Sequence, residues 1–244
     1  MNNYTPDYYE QDTTAGGGVF AIDAIASERA AFIRKTYMHL AGAIFVFMGL
    51  EFIILNTPAL LRPVMGLFSA SPWIILIAFL GASWIASSMA SSAKSLGTQY
   101  AGLGLYTLAE AIIFVPILYF AREMSDPTVI PIAAIITLCI FGGLTAYVLV
   151  TGANFSYLGG GLTIALLAAI GIAFGAALFG FSLGLWFAAA MVLLMSGFIL
   201  YETSNVLHQY ATNQYVSASL ALFASVATLF WYVLRIVMMF SSDD

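Results

Sequence analysis

Residues 217–239 read SASLALFASVATLFWYVLRIVMM, an apolar run with one charge, Arg235. A membrane-spanning helix needs roughly 20 mostly apolar residues, and this run supplies them. Its polar side chains are not scattered. At 100° per residue, Ser217, Ser225, Thr228, Tyr232 and Arg235 fall within an arc of about 80°. Leu220, Phe223, Val226, Leu229, Phe230, Val233 and Met238 take the other faces. In hydrocarbon a polar stripe must meet other polar groups. The helix is therefore expected at the centre of a bundle, with its Ser225–Arg235 side turned inward.

Six further apolar runs precede it, at 36–56, 73–92, 100–120, 129–150, 160–179 and 182–201. Each is too long for a barrel strand of about 9–11 residues. In lipid each segment must satisfy its own backbone, so the predicted fold is all-α: a polytopic bundle of seven transmembrane helices with the C-terminal helix central. The breaks carry turn or charge signals, notably 56–72 with Pro58, Arg62 and Pro63, read as a connecting loop. Residues 1–28 are polar and read as a flexible tail, 29–240 as the membrane domain, and 241–244 as a short acidic end. The tail has neither the basic start nor the short apolar core of a secretory signal.

Composition agrees. Of 244 residues, 62% are hydrophobic and 8% charged, against about 45–50% and about 25% in soluble domains. That excludes a soluble enzyme, a nucleic-acid binder and a disordered regulator, and makes the lipid bilayer the first partner. The net charge of −5 resides in the ends. Between Arg29 and Ser242 the bases outnumber the acids, so the acidity does not indicate a basic partner. The single cysteine, Cys139, lies within an apolar run and excludes a disulfide framework. Arg29, Arg34, Lys35 and Lys94 lie on one side of the runs, Arg62 and Arg122 on the other, which predicts a cytoplasmic N-terminus. Seven crossings then put the C-terminus outside; a re-entrant last segment would return it. The fifth and sixth runs must form a tight hairpin. Gly171 and Gly175, like Gly180 and Gly184, have the four-residue spacing that lets helices approach closely, although packing alone also explains so common a composition.

The chemistry concentrates in a few ionisable residues, each costing about 2.5–3.5 kcal/mol near the bilayer centre. Glu51 lies in the outer third of the first run, Glu110 at the centre of the third, Glu202 at the end of the sixth and Arg235 in the last. Glu110 stands about 15 Å from either surface at 1.5 Å per residue, too deep to snorkel. Two roles fit it, a place on an ion path or an interhelical hydrogen bond. Glu202 is either a path residue or a snorkelling acid, with Asn205 on its face. Arg235 either pairs with an acid or reaches the headgroups; a contact with Glu202 would clamp one mouth. His39 and His208 lie near segment ends, no G-x-S-x-G is present, and no Asp lies inside any run, so serine and aspartyl intramembrane hydrolysis are both excluded. Two histidines and one cysteine are too few for a zinc site. No enzyme and no resident cofactor are expected.

The second half of the chain resembles the transmembrane Bax inhibitor-1 family, bacterial members included. The resemblance rests on Phe155-Ser156-Tyr157-Leu158-Gly159-Gly160-Gly161-Leu162, on Ser196-Gly197-Phe198-Ile199-Leu200-Tyr201-Glu202-Thr203 and on Ala218-Ser219-Leu220-Ala221-Leu222-Phe223. Phe32-Ile33-Arg34-Lys35-Thr36-Tyr37 and Tyr106-Thr107-Leu108-Ala109-Glu110 extend it over residues 30–240. It implies six spans wrapped around a C-terminal helix, an inner-membrane location and a pH-sensitive calcium leak held shut by two aspartates sharing a proton. This sequence departs from that pattern. The first aspartate position is Glu202, the second is Ser225, and the next polar position is Thr228, so a shared-proton pair cannot form there. The arginine that relatives carry in the second span is missing, with Lys94 just past its end.

Two functions follow. One is a calcium leak, with Glu202 at a mouth and Glu110 or Glu51 deeper; Glu202 and Glu110 would offer the hard oxygen ligands that calcium prefers. The other is a non-transporting regulator that engages a membrane-bound quality-control protease through the polar tail, as the resemblance implies for some relatives.

Overall fold

A computed structural model describes residues 18–92 and 95–241. Eight α-helices follow in order: α1 (Ala26–Asn56), α2 (Pro58–Ala70), α3 (Pro72–Ala90), α4 (Leu96–Met124), α5 (Val129–Thr151), α6 (Gly159–Phe179), α7 (Leu185–His208) and α8 (Tyr215–Ser241), with a 3-10 turn at Ser156–Leu158 before α6. All but α2 are long and apolar enough to cross a membrane. The protein is an all-α multi-pass bundle, as the apolar runs predict.

Local chemistry sets the boundaries. Pro58 and Pro72 open α2 and α3 at first-turn positions that need no amide donor. Ser95 caps α4 by accepting from the Thr98 amide at 3.1 Å. Gly180 ends α6 at φ 74°, a left-handed conformation open to glycine at little cost, and this makes the short α6–α7 turn.

Two segments differ from expectation. The stretch 56–72 is not a loop. Residues 58–70 form α2, none of whose side chains is fully buried; Pro63 lies inside it and has no amide to donate to the Ala59 carbonyl. The polar N-terminus is not free up to residue 28. Residues 1–17 lie outside those described, but Phe20 pairs with Ala211 in an isolated antiparallel bridge. The Ala21 amide donates to the Tyr210 carbonyl and the Thr212 amide to the Val19 carbonyl, both at 3.0 Å. Ala21 is completely buried, and α1 begins at Ala26, ten residues before the first apolar run.

Packing is uneven. α8 lies against α1, α3, α4, α5 and α7, and its span is the most buried of the seven. Phe47 of α1, Phe114 of α4 and Phe223 of α8 interlock edge to face, with Phe47 5.1 Å from Phe114 and 6.1 Å from Phe223. The Ser219 hydroxyl of α8, itself buried, is shared between the Thr36 carbonyl of α1 at 2.8 Å and the Tyr215 carbonyl of its own helix at 2.5 Å. α6 rests on α7 and leaves most of its circumference outward.

The close helix contacts are not at the glycines singled out by spacing. Nothing lies within 4 Å of the position a Cβ would take on Gly171, Gly180 or Gly184, and Gly175 meets only the Phe181 ring, at 3.9 Å. The close approach is at Gly102 of α4, where a Cβ would stand 2.5 Å from the Ala86 carbonyl oxygen and 2.6 Å from the Ala90 nitrogen of α3. A four-residue period identifies small residues but not which way they face.

Candidate functional site

The antiparallel α7–α8 hairpin brings the end of α7 beside the start of α8. Glu202, six residues before the end of α7, therefore meets the first turns of α8. Together with α3, α4 and α6 these helices border an open-sided cavity of about 580 Å³, within the usual range of ligand sites, about 300–1,000 Å³. Its polar lining comes from Glu202, Tyr106 and Tyr210, from Ser217, Ser225 and Thr228 of α8, and from Ser83, Ser87 and Ser91 of α3. Met195, Phe198, Leu220 and Leu166 supply apolar wall.

Asn205, three residues after Glu202 on α7, accepts from Ser156 Oγ through its Oδ1 at 3.3 Å. Beside them Ser204 Oγ accepts the Phe155 amide at 2.8 Å. The Phe155–Leu158 segment is thus tied to the end of α7. Tyr210, in the α7–α8 turn, also lines the cavity, and burial, with Glu202 and Tyr201 adding repulsion, holds its phenol above the ordinary value. It stays a neutral donor next to the carboxyl.

The stripe on α8 divides. Ser217, Ser225 and Thr228 face the cavity, so the two positions that the resemblance pairs, Glu202 and Ser225, do share one space. Thr228 also donates to the Ala224 carbonyl at 2.9 Å. Tyr232 packs on Phe187 of α7, centroids 6.0 Å apart. Arg235 does not meet Glu202. Its guanidinium donates to the Leu183 carbonyl in the α6–α7 turn. Leu185 and Glu202 are seventeen residues apart along α7, about 25 Å at 1.5 Å per residue, so the expected clamp is replaced by a cap at the opposite end. Residues that share one direction around α8 stand at different positions along it, and Ser217, Ser225 and Thr228 reach the cavity while Tyr232 and Arg235 do not line it.

Glu110 sits midway along α4 and is 3% exposed. It lies outside the cavity lining, one helical turn after Tyr106, which does line it. Glu51 lies apart near the far end of α1, 4% exposed, and neither carboxyl oxygen has a hydrogen-bond partner among the described residues. Glu202, Glu110 and Glu51 therefore occupy three depths, and no group of three or more His, Cys, Asp or Glu converges among the described residues. Lys94 lies outside the described residues. The serines on α3 and the two tyrosines escaped the sequence reading, although Ser83, Ser87 and Ser91 repeat every fourth residue, one face of a helix.

The fold defines an α-helical multi-pass membrane protein. The family described as Inhibitor of apoptosis-promoting Bax1 matches residues 29–242, and the chain belongs to it. It is 31% identical over 227 residues to the uncharacterized protein PA2604 of Pseudomonas aeruginosa, covering 91% of this chain and 96% of that one. Bax inhibitor 1 of Schizosaccharomyces pombe is 28% identical over 89% of this chain and 80% of its own length. The modulator of FtsH protease YccA of Escherichia coli is 32% identical over 71% of this chain and 78% of its own.

Proposed function

We propose that the protein is a cation leak, calcium its principal ion, in a bacterial inner membrane with the N-terminus cytoplasmic. The observation that carries this is the largely apolar, open-sided cavity in which Glu202 stands together with the hydroxyls of Ser217, Ser225 and Thr228. Oxygen donors of this kind replace part of the hydration shell of a hard cation. Glu202 supplies the charge at the mouth, Ser217, Ser225 and Thr228 supply neutral oxygens, and Glu110 stands next along the path, with Glu51 deeper toward the far side. Because Ser225 cannot ionise, Glu202 holds the cation without sharing a proton. No resident cofactor is needed. Calcium entry into proteoliposomes tests this: Glu202→Gln and Glu110→Gln should each lower the rate severalfold. Equal flux in protein-free vesicles, wild type and both variants rejects the leak.

A second reading is supported by the relative named as a modulator of FtsH protease. On it the N-terminal tail engages a membrane-bound quality-control protease, and the intramembrane charges only organise the bundle. Deleting residues 2–17 leaves the docked segment from residue 18 in place. Loss of protease capture with unchanged flux supports the tail as a contact; capture that survives the deletion removes it from the interface.

A further inference from the structure

We propose that the end of the bundle where α1 begins binds one anionic phospholipid, its head in a polar chamber beside Lys35 and an acyl chain in a groove between α1 and α4. The site shares no lining residue with the Glu202 cavity and does not rest on the leak.

Two cavities lie there. The chamber, about 470 Å³, is lined mainly by side chains that can hydrogen-bond, among them Lys35, Gln99, Thr212 and Asn213. The groove, about 420 Å³, has Ala43 and Val46 of α1 on one side and Leu103 and Gly104 of α4 on the other. The two meet at a cluster of four side chains. His39 and Tyr100 line the groove, and Lys35 and Tyr215 line the chamber. His39 Nε2 stands 2.9 Å from the Tyr100 hydroxyl, the His39 ring 5.0 Å from the Tyr215 ring, and Lys35 Nζ 5.3 Å from the centre of that same ring. Lys35 directly precedes the first apolar run. The cluster therefore stands at the level where tyrosines and bases meet headgroups, and the groove continues inward from it beside the acyl chains.

Charge selects the head. Lys35 is exposed, and among the described residues no acid lines either cavity. Its ammonium rests on the Tyr215 ring and keeps its N–H donors for a phosphate. His39 and Tyr100 are spent on other partners. His39 Nδ1, 2.7 Å from the Lys35 carbonyl, must donate, because a carbonyl only accepts; Nε2 of the neutral ring then accepts the Tyr100 hydroxyl. Farther in, the Thr107 hydroxyl donates to the Leu103 carbonyl at 2.9 Å. Beyond the aromatic cluster the groove thus offers no free donor, which suits a hydrocarbon chain. Glycine makes the room. Nothing lies within 4 Å of the position a Cβ would take on Gly42 or Gly104. From Met38 to Val46 the groove follows α1 for about 12 Å at 1.5 Å per residue, against roughly 15 Å of hydrocarbon in one leaflet.

Photoreactive lipids test this in the full-length protein reconstituted in phosphatidylcholine vesicles. Phosphatidylglycerol and phosphatidylcholine probes carrying the same diazirine chain are compared, and labelled peptides are mapped by mass spectrometry. Labelling of α6, most of whose circumference faces outward, gives the reference for lipid at large. Relative to α6, the phosphatidylglycerol probe should label 38–46 and 100–107 about fivefold more than the phosphatidylcholine probe. That ratio corresponds to about 1 kcal/mol, the usual weight of one Lys near anionic lipid. Lys35→Gln should bring the ratio to one. Arg62→Gln, which removes an exposed charge outside both linings, should leave it unchanged. Gly104→Leu, which fills the groove, should lower labelling of 38–46 by both probes. Excess inorganic phosphate should displace neither probe. Equal labelling by the two probes in wild type, a preference untouched by Lys35→Gln, or full labelling in Gly104→Leu overturns the site. So does loss of the preference in Arg62→Gln, which marks a general charge effect, or displacement by phosphate, which assigns the chamber to a free anion. Calcium flux takes no part in the readout, so either idea can fail while the other stands.

Discussion

Gly102 marks where α4 crosses α3 with no room for a methyl group. Its Cβ position is crowded by backbone, the Ala86 carbonyl and the Ala90 amide nitrogen, which cannot rotate aside as a side chain would. Gly102→Ala should therefore force the two helices apart and cost about 1–3 kcal/mol, the usual range for overpacking. Gly171→Ala, with open space around it, should stay within about 0.5 kcal/mol. Thermal unfolding in one detergent compares them; equal melting points would place the crossing elsewhere. Ser219 offers a gentler probe. Ser219→Ala removes the hydroxyl shared with the Thr36 carbonyl, and interhelical hydrogen bonds in membranes average about 0.6 kcal/mol. Its melting point should fall by less than that of Gly102→Ala. Chemistry at single positions was partly legible beforehand. The depth of Glu110 followed from counting residues, and the stripe followed from the helical period. Which glycine touches a neighbour did not, because that depends on the rotation of one helix against another.

Helices and turns were easier to read where lipid imposes them. Seven runs longer than the hydrocarbon thickness had to be spans. α2 was hidden because its 13 residues are too few to span and its prolines read as breaks, although Leu61, Val64, Met65 and Phe68 recur at helical spacing. The α4–α5 connection shows how a turn is held. Asp126 Oδ1 accepts the Thr128 amide at 2.8 Å and the Thr128 hydroxyl at 2.5 Å, and these bonds hold its carboxyl below the ordinary value. A depressed value means that the cap is fully present above the unfolded carboxyl value, about 3.9, and is lost as the pH falls through the lower folded one. Hydrogen exchange should detect this locally. At neutral pH, Asp126→Ala should speed exchange in the first turn of α5, whereas wild type should loosen there only in acid. Identical exchange in the two proteins at neutral pH would show that the cap contributes nothing. At the other short turn, Arg235→Met should free the Leu183 carbonyl and loosen 180–184 while leaving Glu202 and its cavity unchanged. A change in Glu202 carbodiimide coupling would contradict the separation of the two ends.

Relations between distant parts of the chain were the least legible. Glu202 and Arg235 stand at opposite ends of the α7–α8 hairpin, because the two helices run antiparallel. The cavity draws on α3, α4, α6, α7 and α8 at once, an assembly that no single run foretells. Glu202 and Ser225, the positions aligned with the relatives' two aspartates, both line the cavity; Tyr106 and the serines of the α3 face were not singled out by the resemblance. The docked N-terminal segment is of the same long-range kind. Ala21→Glu would place a charge in a fully closed seat and should detach the segment, exposing the bond after Phe20 to chymotrypsin while the spans remain resistant. Unaltered cleavage would mean that the seat does not hold this segment.

That docking also has a meaning in time. Val19 and Ala21 are bonded to Tyr210 and Thr212, so the earliest described residues emerge from the ribosome long before their seat is translated. They must wait until α7 and its following turn have been inserted. In a nascent chain arrested ahead of that turn, chymotrypsin would find Phe20 open, and its later protection would report that biogenesis has reached the last hairpin.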